Sequence, residues 1–248
     1  MERWRGRVAL VTGASKGIGS QITRVLASHG LKVVACARSE DKLQELAEEL
    51  QSSMGDVFPI RCDLRSEVDI LKMFAAIEER WGGVDVCVNN AGLALNASII
   101  DGDSEDWRTM IDVNVMAVCY CTRESVRSMR RRQVDDGQVI NINSLSGHRV
   151  GKAHFYSATK FALTSLTEGT RWELRGIDSH IRVTSISPGL VKTNFASVLM
   201  GEAGAAETYN TRQYLEAKDI ADMVVTVLST PKHVQIHDIL VRPTEQLP

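Results

Sequence analysis

Short runs of β-branched and apolar residues alternate with segments whose apolar residues recur at helical spacing, and this alternation leaves few folds open to the chain. Val8–Thr12 is a continuous apolar run, and Gly17–Ser28 then reads as a helix ended at Gly30. Lys32–Ala37 is the next strand; Leu43, Leu46, Ala47 and Leu50 follow at helical spacing. Residues 57–62 form a third strand, and Ile70, Phe74, Ile77 and Trp81 mark a third helix. A fourth strand is expected at 84–89, one or two helices over 104–132, a fifth strand at 137–144 and a helix over 156–175. A sixth strand at 181–187, a helix at Ala217–Ser229 and an edge strand at 234–241 close the series. Strands this apolar need both sheet faces covered, and strict β/α alternation gives a parallel sheet. No linker, repeat or low-complexity run divides the chain. Residues 1–248 are therefore expected to form a single α/β domain, a doubly wound parallel sheet with helices on both faces. Ligands of such sheets bind beyond the carboxyl ends of the strands.

The distinctive residues fall at those ends. The first strand runs into Thr12-Gly13-Ala14-Ser15-Lys16-Gly17-Ile18-Gly19. Glycines here let the backbone turn sharply and approach a pyrophosphate, which then meets the free N–H groups of the helix N-terminus. The spacing, G-x-x-x-G-x-G, is longer than the common dinucleotide fingerprint. The second strand ends at Cys36-Ala37-Arg38, where an acidic residue would accept from the ribose hydroxyls of NAD. Ala37 removes that acid, while Arg38 and Lys16 supply cations for a ribose 2′-phosphate, so NADP(H) is the expected cofactor. The alternative is that both are solvated charges, with Glu40 and Asp41 near enough to occupy them.

Tyr156 and Lys160 lie four residues apart at the start of a helical segment, which places them on one face, one turn apart. A free phenol with a pKa of about 10 donates poorly at neutral pH. An ammonium within about 4–6 Å favours the phenolate and lowers that value. Such a phenol can protonate a developing alkoxide or accept a proton from an alcohol. Taken alone, a pair at this spacing more often merely decorates a helix surface.

Composition excludes other classes. A net charge of −2 steers the molecule toward neither nucleic acid nor anionic membrane. Arg130-Arg131-Arg132 follows a helical pattern and reads as a solvated helix C-terminus rather than a phosphate patch. Cys36, Cys62, Cys87, Cys119 and Cys121 show no metal or disulfide spacing, which implies a reducing compartment. With no apolar run before the first strand and no stretch of about 18 apolar residues, a cytoplasmic protein without a membrane span is expected. Asn96-Ala97-Ser98 fits a glycosylation sequon that would be inert there.

Thr12–Gly19, Asp63-Leu64, Asn89-Asn90-Ala91-Gly92, Asn114, Ser144, Tyr156/Lys160 and Pro188-Gly189 with Thr193 occur together in this order. In this the chain resembles the short-chain dehydrogenase/reductase family over essentially its whole length, which implies a Rossmann-like fold. Asn141 to Ser144, Gly147 to Val150, His154-Phe155-Tyr156 and the tail from Val241 to Gln246 resemble a branch containing NADP-dependent keto-steroid reductases and insect farnesol dehydrogenases. The resemblance implies that Tyr156 is the general acid for carbonyl reduction and the base for the reverse. Lys160 would lower its pKa and hold the nicotinamide ribose, and Ser144 would hydrogen-bond the substrate oxygen. Asn114 would keep a water in a relay to Lys160. Gly13, Ser15, Lys16, Gly17, Ile18 and Gly19, with Arg38 and Ser39, would hold the phosphates, and Asp63 and Leu64 the adenine. Asn90, Ala91 and Gly92 would meet the central ribose, and Pro188, Gly189, Val191 and Thr193 the nicotinamide carboxamide. Asn89 is expected to tie neighbouring strands together.

Residues 195–200 are apolar where a loop is expected, so 195–215 reads as a lid over a hydrophobic substrate, with core packing as the alternative. Tyr209, Tyr214 and the 145–155 segment would complete the pocket; His148 and His154 are assigned no catalytic part. The 145–155 segment is shorter than in that branch, which leaves the pocket's shape open. The whole points to reversible reduction of a carbonyl on a bulky apolar small molecule, by a homodimer or homotetramer built on helices of 104–132 and 156–175. Alternatives are an isoprenoid alcohol dehydrogenase and a non-catalytic NADP(H)-sensing scaffold.

Overall fold

The computed structural model describes residues 1–246. Seven parallel strands form one sheet in the order β3-β2-β1-β4-β5-β6-β7. They are β1 (Val8–Thr12), β2 (Lys32–Ala37), β3 (Asp56–Arg61), β4 (Val86–Asn89), β5 (Gln138–Ile142), β6 (Arg182–Pro188) and β7 (Asp238–Val241). The helices are α1 (Gly17–Ser28), α2 (Glu40–Glu49), α3 (Glu67–Trp81), α4 (Ser104–Ile111), α5 (Ala117–Arg131), α6 (His154–Gly176), α7 (Phe195–Thr211) and α8 (Ala217–Ser229). The strand order reverses between β1 and β4, and the crevice opens there.

Two apolar layers sandwich the sheet, as its unbroken apolar strands require. On one face Ile22 and Leu26 of α1 pack with Ile220 and Val224 of α8 against Ala9, Val11, Val33 and Val88. On the other, Ile70, Phe74 and Ile77 of α3, Met129 of α5 and Leu174 of α6 cover Leu10, Val34 and Val139. Each large aliphatic side chain buried this way contributes about 1.5–3 kcal/mol. Cys36, Cys62, Cys87 and Cys121 lie in the second layer as free thiols, and burial pushes the Cys87 thiol up to about 12. They pack as small hydrophobes.

Several element ends differ from the sequence expectation for local reasons. β4 begins at Val86 because the Asp85 carboxylate accepts from the Val8 amide (2.8 Å) and pairs with Arg7 and Arg132. β7 is the expected edge strand but is shorter, since residues 235–237 meet β6 through a Gln235 side chain and single carbonyls. α5 ends in the arginines as expected, and Arg131 and Arg132 are taken up by Glu78 and Asp85. Between α4 and α5 one π-helical segment, Asp112–Met116, keeps the rod continuous. The 195–211 stretch is helical rather than a loop, broken at Gly201, whose φ of 74° lies in the left-handed region. No helix among the described residues is long and apolar enough to cross a membrane.

Candidate active site

At the carboxyl end of the sheet a cleft of ≈ 1650 Å³ runs from the end of β2, across the glycine turn, to α6 and α7. Its wall holds Gly13, Ser15, Lys16, Gly17, Ile18, Arg38, Ser39, Asp63, Leu64 and Asn90 to Gly92, followed by Ser144, Tyr156, Lys160, Pro188, Gly189, Val191 and Thr193. Gly19 and Asn114, also expected at the site, stand outside this wall.

The turn after β1 is as tight as its glycines permit. Gly13 and Gly17 have φ of 68° and 58°. A Cβ on Gly19 would meet the Gly13 carbonyl oxygen at 2.4 Å and Asn90 Nδ2 at 2.5 Å, so Gly19 lets α1 close onto the turn from behind. Asn90 Nδ2 donates to the Thr12 carbonyl (2.8 Å), and Thr12 Oγ1 accepts from the amides of Asn90 and Ala91, both at 3.0 Å. The Asn90 side chain thus braces the turn, and the residue stands in the cleft wall. No side chain caps α1, whose first-turn N–H groups face the cleft. Lys16 and Arg38 are exposed at the lip, and neither joins an ion pair with Glu40, Asp41 or any other acid among the described residues. The Asp63 carboxylate is held by Arg65 (2.7 Å), which keeps its pKa below the usual range. This half of the wall fits an elongated anionic nucleotide: a cradle with no room for side chains, free helix N–H groups, and unpaired cations beyond them.

The other half is buried. Tyr156 on α6 is 8% exposed and sits in a third apolar cluster with Ala94, Ala97 and Met110. Phe195 of α7 packs on its ring (centroids 5.4 Å apart), and Trp107 stacks on Phe155 at 5.6 Å. Ser144 caps a short 3-10 turn after β5, accepting from the Ser146 amide (3.0 Å), and its hydroxyl also favours the Tyr156 phenolate. Lys160 Nζ, 5.8 Å from the Tyr156 ring centroid, donates to the Ile142 carbonyl (3.0 Å).

The expected acidification of Tyr156 is not what this environment produces. Burial pushes the phenol up to about 12, with Ser144 opposing it, and burial lowers the Lys160 ammonium to about 8. Both shifts follow from burial, which disfavours the charged form of each group. Asn114 is fully buried in the π segment. Its Oδ1 accepts from the Leu93 amide (2.9 Å), and its Nδ2 donates to the Leu93 carbonyl (2.8 Å) and to Thr159 Oγ1 (3.0 Å). That side chain pins the 91–95 loop to α6, and its Oδ1 and Lys160 Nζ both border Gly92, 3.4 and 3.6 Å from where a Cβ there would stand.

Asn89 ties strands as expected, donating to Asn141 Oδ1 (2.9 Å) and Thr122 Oγ1 (3.0 Å). His148 Nε2 meets Ser187 Oγ (2.9 Å), and His154 is exposed at the start of α6. Sequence reasoning missed Leu93, Leu95, Thr109 and Gln246 in the wall. Gln246 Oε1 accepts from the Leu190 amide (2.9 Å) and lies where a Cβ on Gly189 would stand. No local signal marks it, because the contact joins the tail to a turn 56 residues earlier.

Residues 7–202 match the short chain dehydrogenase family. The chain is 57% identical to a dehydrogenase/reductase SDR family member 11 of Gallus gallus, over 254 aligned residues that span 100% of each chain. It is 40% identical to a farnesol dehydrogenase of Aedes aegypti, covering 98% of each. Among solved structures it is similar to the closed form of a serine dehydrogenase complexed with NADP+, with a TM-score of 0.89, 36% identity and coverage of 97% of this chain and 96% of the other.

Proposed function

The chain belongs to the short-chain dehydrogenase family and is an oxidoreductase of CH–OH and carbonyl groups, and on that premise we propose that it uses NADP(H) to interconvert a ketone or aldehyde and an alcohol on a bulky apolar molecule. The observation that carries this reading is Tyr156 with its hydroxyl bonded to Ser144 and its ring 5.8 Å from Lys160 Nζ, in one cleft with the glycine turn. When bound, the nicotinamide supplies hydride to the carbonyl carbon or takes it from the alcohol. The chain's own residues do the rest. Ser144 and Tyr156 donate hydrogen bonds to the substrate oxygen, and Tyr156 hands over its proton as that oxygen becomes an alkoxide. Even when burial raises it, a phenol stays a stronger acid than an alcohol, so donation to a developing alkoxide runs downhill. Lys160, a cation at neutral pH, stabilises the phenolate left behind.

Gly13, Ser15, Gly17, Ile18 and the first turn of α1 would hold the pyrophosphate, with Gly19 closing the cradle. Arg38, Ser39 and Lys16 would take the 2′-phosphate, with Ala37 in place of an acid, and the NADP+ complex of the serine dehydrogenase relative supports this choice. Asp63 and Leu64 would border the adenine, Asn90, Ala91 and Gly92 the ribose, and Pro188, Gly189, Val191 and Thr193 the carboxamide. The aromatic wall and the apolar start of α7, with Val198 and Met200 at its exposed edge, support a lid over an apolar substrate of keto-steroid type. The farnesol dehydrogenase relative favours a second reading, an isoprenoid alcohol. Phe161 and Trp172, exposed on α6, support assembly as a homodimer or homotetramer through that helix.

Consumption of NADPH across keto-steroids, dicarbonyls and isoprenoid aldehydes, with NADH in parallel, tests the proposal. NADPH-dependent turnover of an apolar carbonyl is expected. Equal rates with NADH overturn the cofactor assignment, and silence with every carbonyl revives the non-catalytic sensor.

A further inference from the structure

We propose that Tyr209 is a positioning residue, whose hydroxyl ties α7 to the 190–194 strap and so sets how that strap closes over the nicotinamide end of the cleft. The strap is irregular backbone, and its polar groups are met from several places. Gly189 N donates to Val241 O at the end of β7 (2.7 Å), and Lys192 N donates to Leu215 O (2.8 Å), beside the isolated bridge between Val191 and Leu215. The Thr193 amide is met by α7, donating to Tyr209 Oη at 3.2 Å. The same hydroxyl has the Thr193 and Val191 carbonyl oxygens at 2.9 and 3.1 Å, and its single proton serves one or the other. One phenol thereby spans both sides of Thr193. Its ring is seated edge-on against Tyr214 (5.5 Å), whose hydroxyl in turn accepts from Lys192 Nζ (3.1 Å).

The strap's other contacts make this brace consequential. The Thr193 methyl would touch a Cβ on Gly17 at 3.3 Å, so Thr193 stands against the glycine turn. Two residues later Phe195 packs on Tyr156. α7 therefore touches the phenol of α6 through its first residue and the strap through Tyr209, with the Gly201 break between the two contacts. A lid hinged at Gly201 can shift its first turns over a substrate while Tyr209 holds the strap in register.

The proposal rests on the cleft being a dinucleotide site, but its first readout does not. In Tyr209→Phe the ring and its packing remain and only the hydroxyl is lost. Amide hydrogen exchange of the free protein is expected to be about tenfold faster at 191–195 and unchanged in β1–β6. Tyr214→Phe, which keeps the hydroxyl at 209, is expected to leave those amides at the parent rate. In turnover, kcat of Tyr209→Phe should fall about fivefold or more, while Kd for NADP+ moves less than about twofold, because orientation and not phosphate binding is lost. Parent exchange rates at 191–195 in Tyr209→Phe, equal acceleration in Tyr214→Phe, or an unchanged kcat would each overturn the proposal. A parent protein that reduces no carbonyl defeats the function proposed above, and the exchange comparison still decides the brace.

Discussion

The two halves of the cleft are built by opposite means. The half at the glycine turn comes from consecutive residues, Thr12 to Gly19, with cations exposed at its lip and backbone as its working surface. The half around Tyr156 is assembled from β5, α6, α7 and the 91–95 loop, and its Tyr156 and Lys160 are almost wholly removed from water. The difference teaches where each half is vulnerable. Steric room limits the first, where a Cβ on Gly13 or Gly19 would collide with backbone. Desolvation governs the second, where burial alone moves Tyr156 and Lys160 in opposite directions.

The largest effect that would sharpen this contrast is at the buried half. Tyr156→Phe keeps the ring against Phe195 and removes the proton; carbonyl reduction should fall about 10²–10⁴-fold with NADP+ affinity little changed, read by steady-state kinetics beside a fluorescence titration. Parent turnover in this variant would mean that the proton comes from elsewhere. Gly19→Ala probes the other half. Its methyl meets backbone at 2.4 Å, so a loss of about 1–3 kcal/mol in denaturant unfolding is expected, together with weakened NADP+ binding. An unperturbed variant would show that the turn has slack.

Next in size is a pH effect confined to the buried half. Lys160 binds its proton less tightly in the folded chain (about 8) than in the unfolded chain (about 10.4), so between these values the unfolded state holds more protons. Stability should therefore rise as pH increases through that window, by on the order of 2–3 kcal/mol, and Lys160→Met should abolish the rise. Tyr156 acts oppositely from about pH 10 to 12, where the folded chain keeps the proton and stability falls. A flat profile from pH 8 to 10 in the parent would show the amine to be better solvated than its burial implies. The smallest effect belongs to the exposed lip. Arg38→Ala should raise the KM for NADPH about tenfold and leave that for NADH alone, since a charged contact to phosphate contributes about 1.5–3 kcal/mol, partly screened by solvent.

How much of this was legible in the chain differs between the halves for the same reason. Glycines after an apolar strand, the missing acid at Ala37 and the cation at Arg38 are local signals, each legible within a few residues. The Tyr156/Lys160 pair was legible as a shared helical face, but the direction of its pKa shifts was not. That direction comes from burial, with Phe195, Met110 and Ala94 packed around the Tyr156 ring. Asn114 was legible as a candidate, but nothing in its neighbours marks a π segment or predicts its bonds to Leu93 and Thr159. The helix over 195–211 was hidden by Gly201 and by an apolar pattern without a clear face.

Hydrophobic periodicity settles that this chain is a parallel α/β sheet covered on both faces, and the order of its glycines, asparagines and tyrosine settles where its cleft must open. Those are short-range properties, carried by residues a turn or a strand apart. Which groups lose water, which carbonyl claims the amine, and which tail or helix braces the strap are settled by contacts between distant segments. Solvation and close packing come into being only when the chain has folded, and they set the proton affinities on which the proposed chemistry runs.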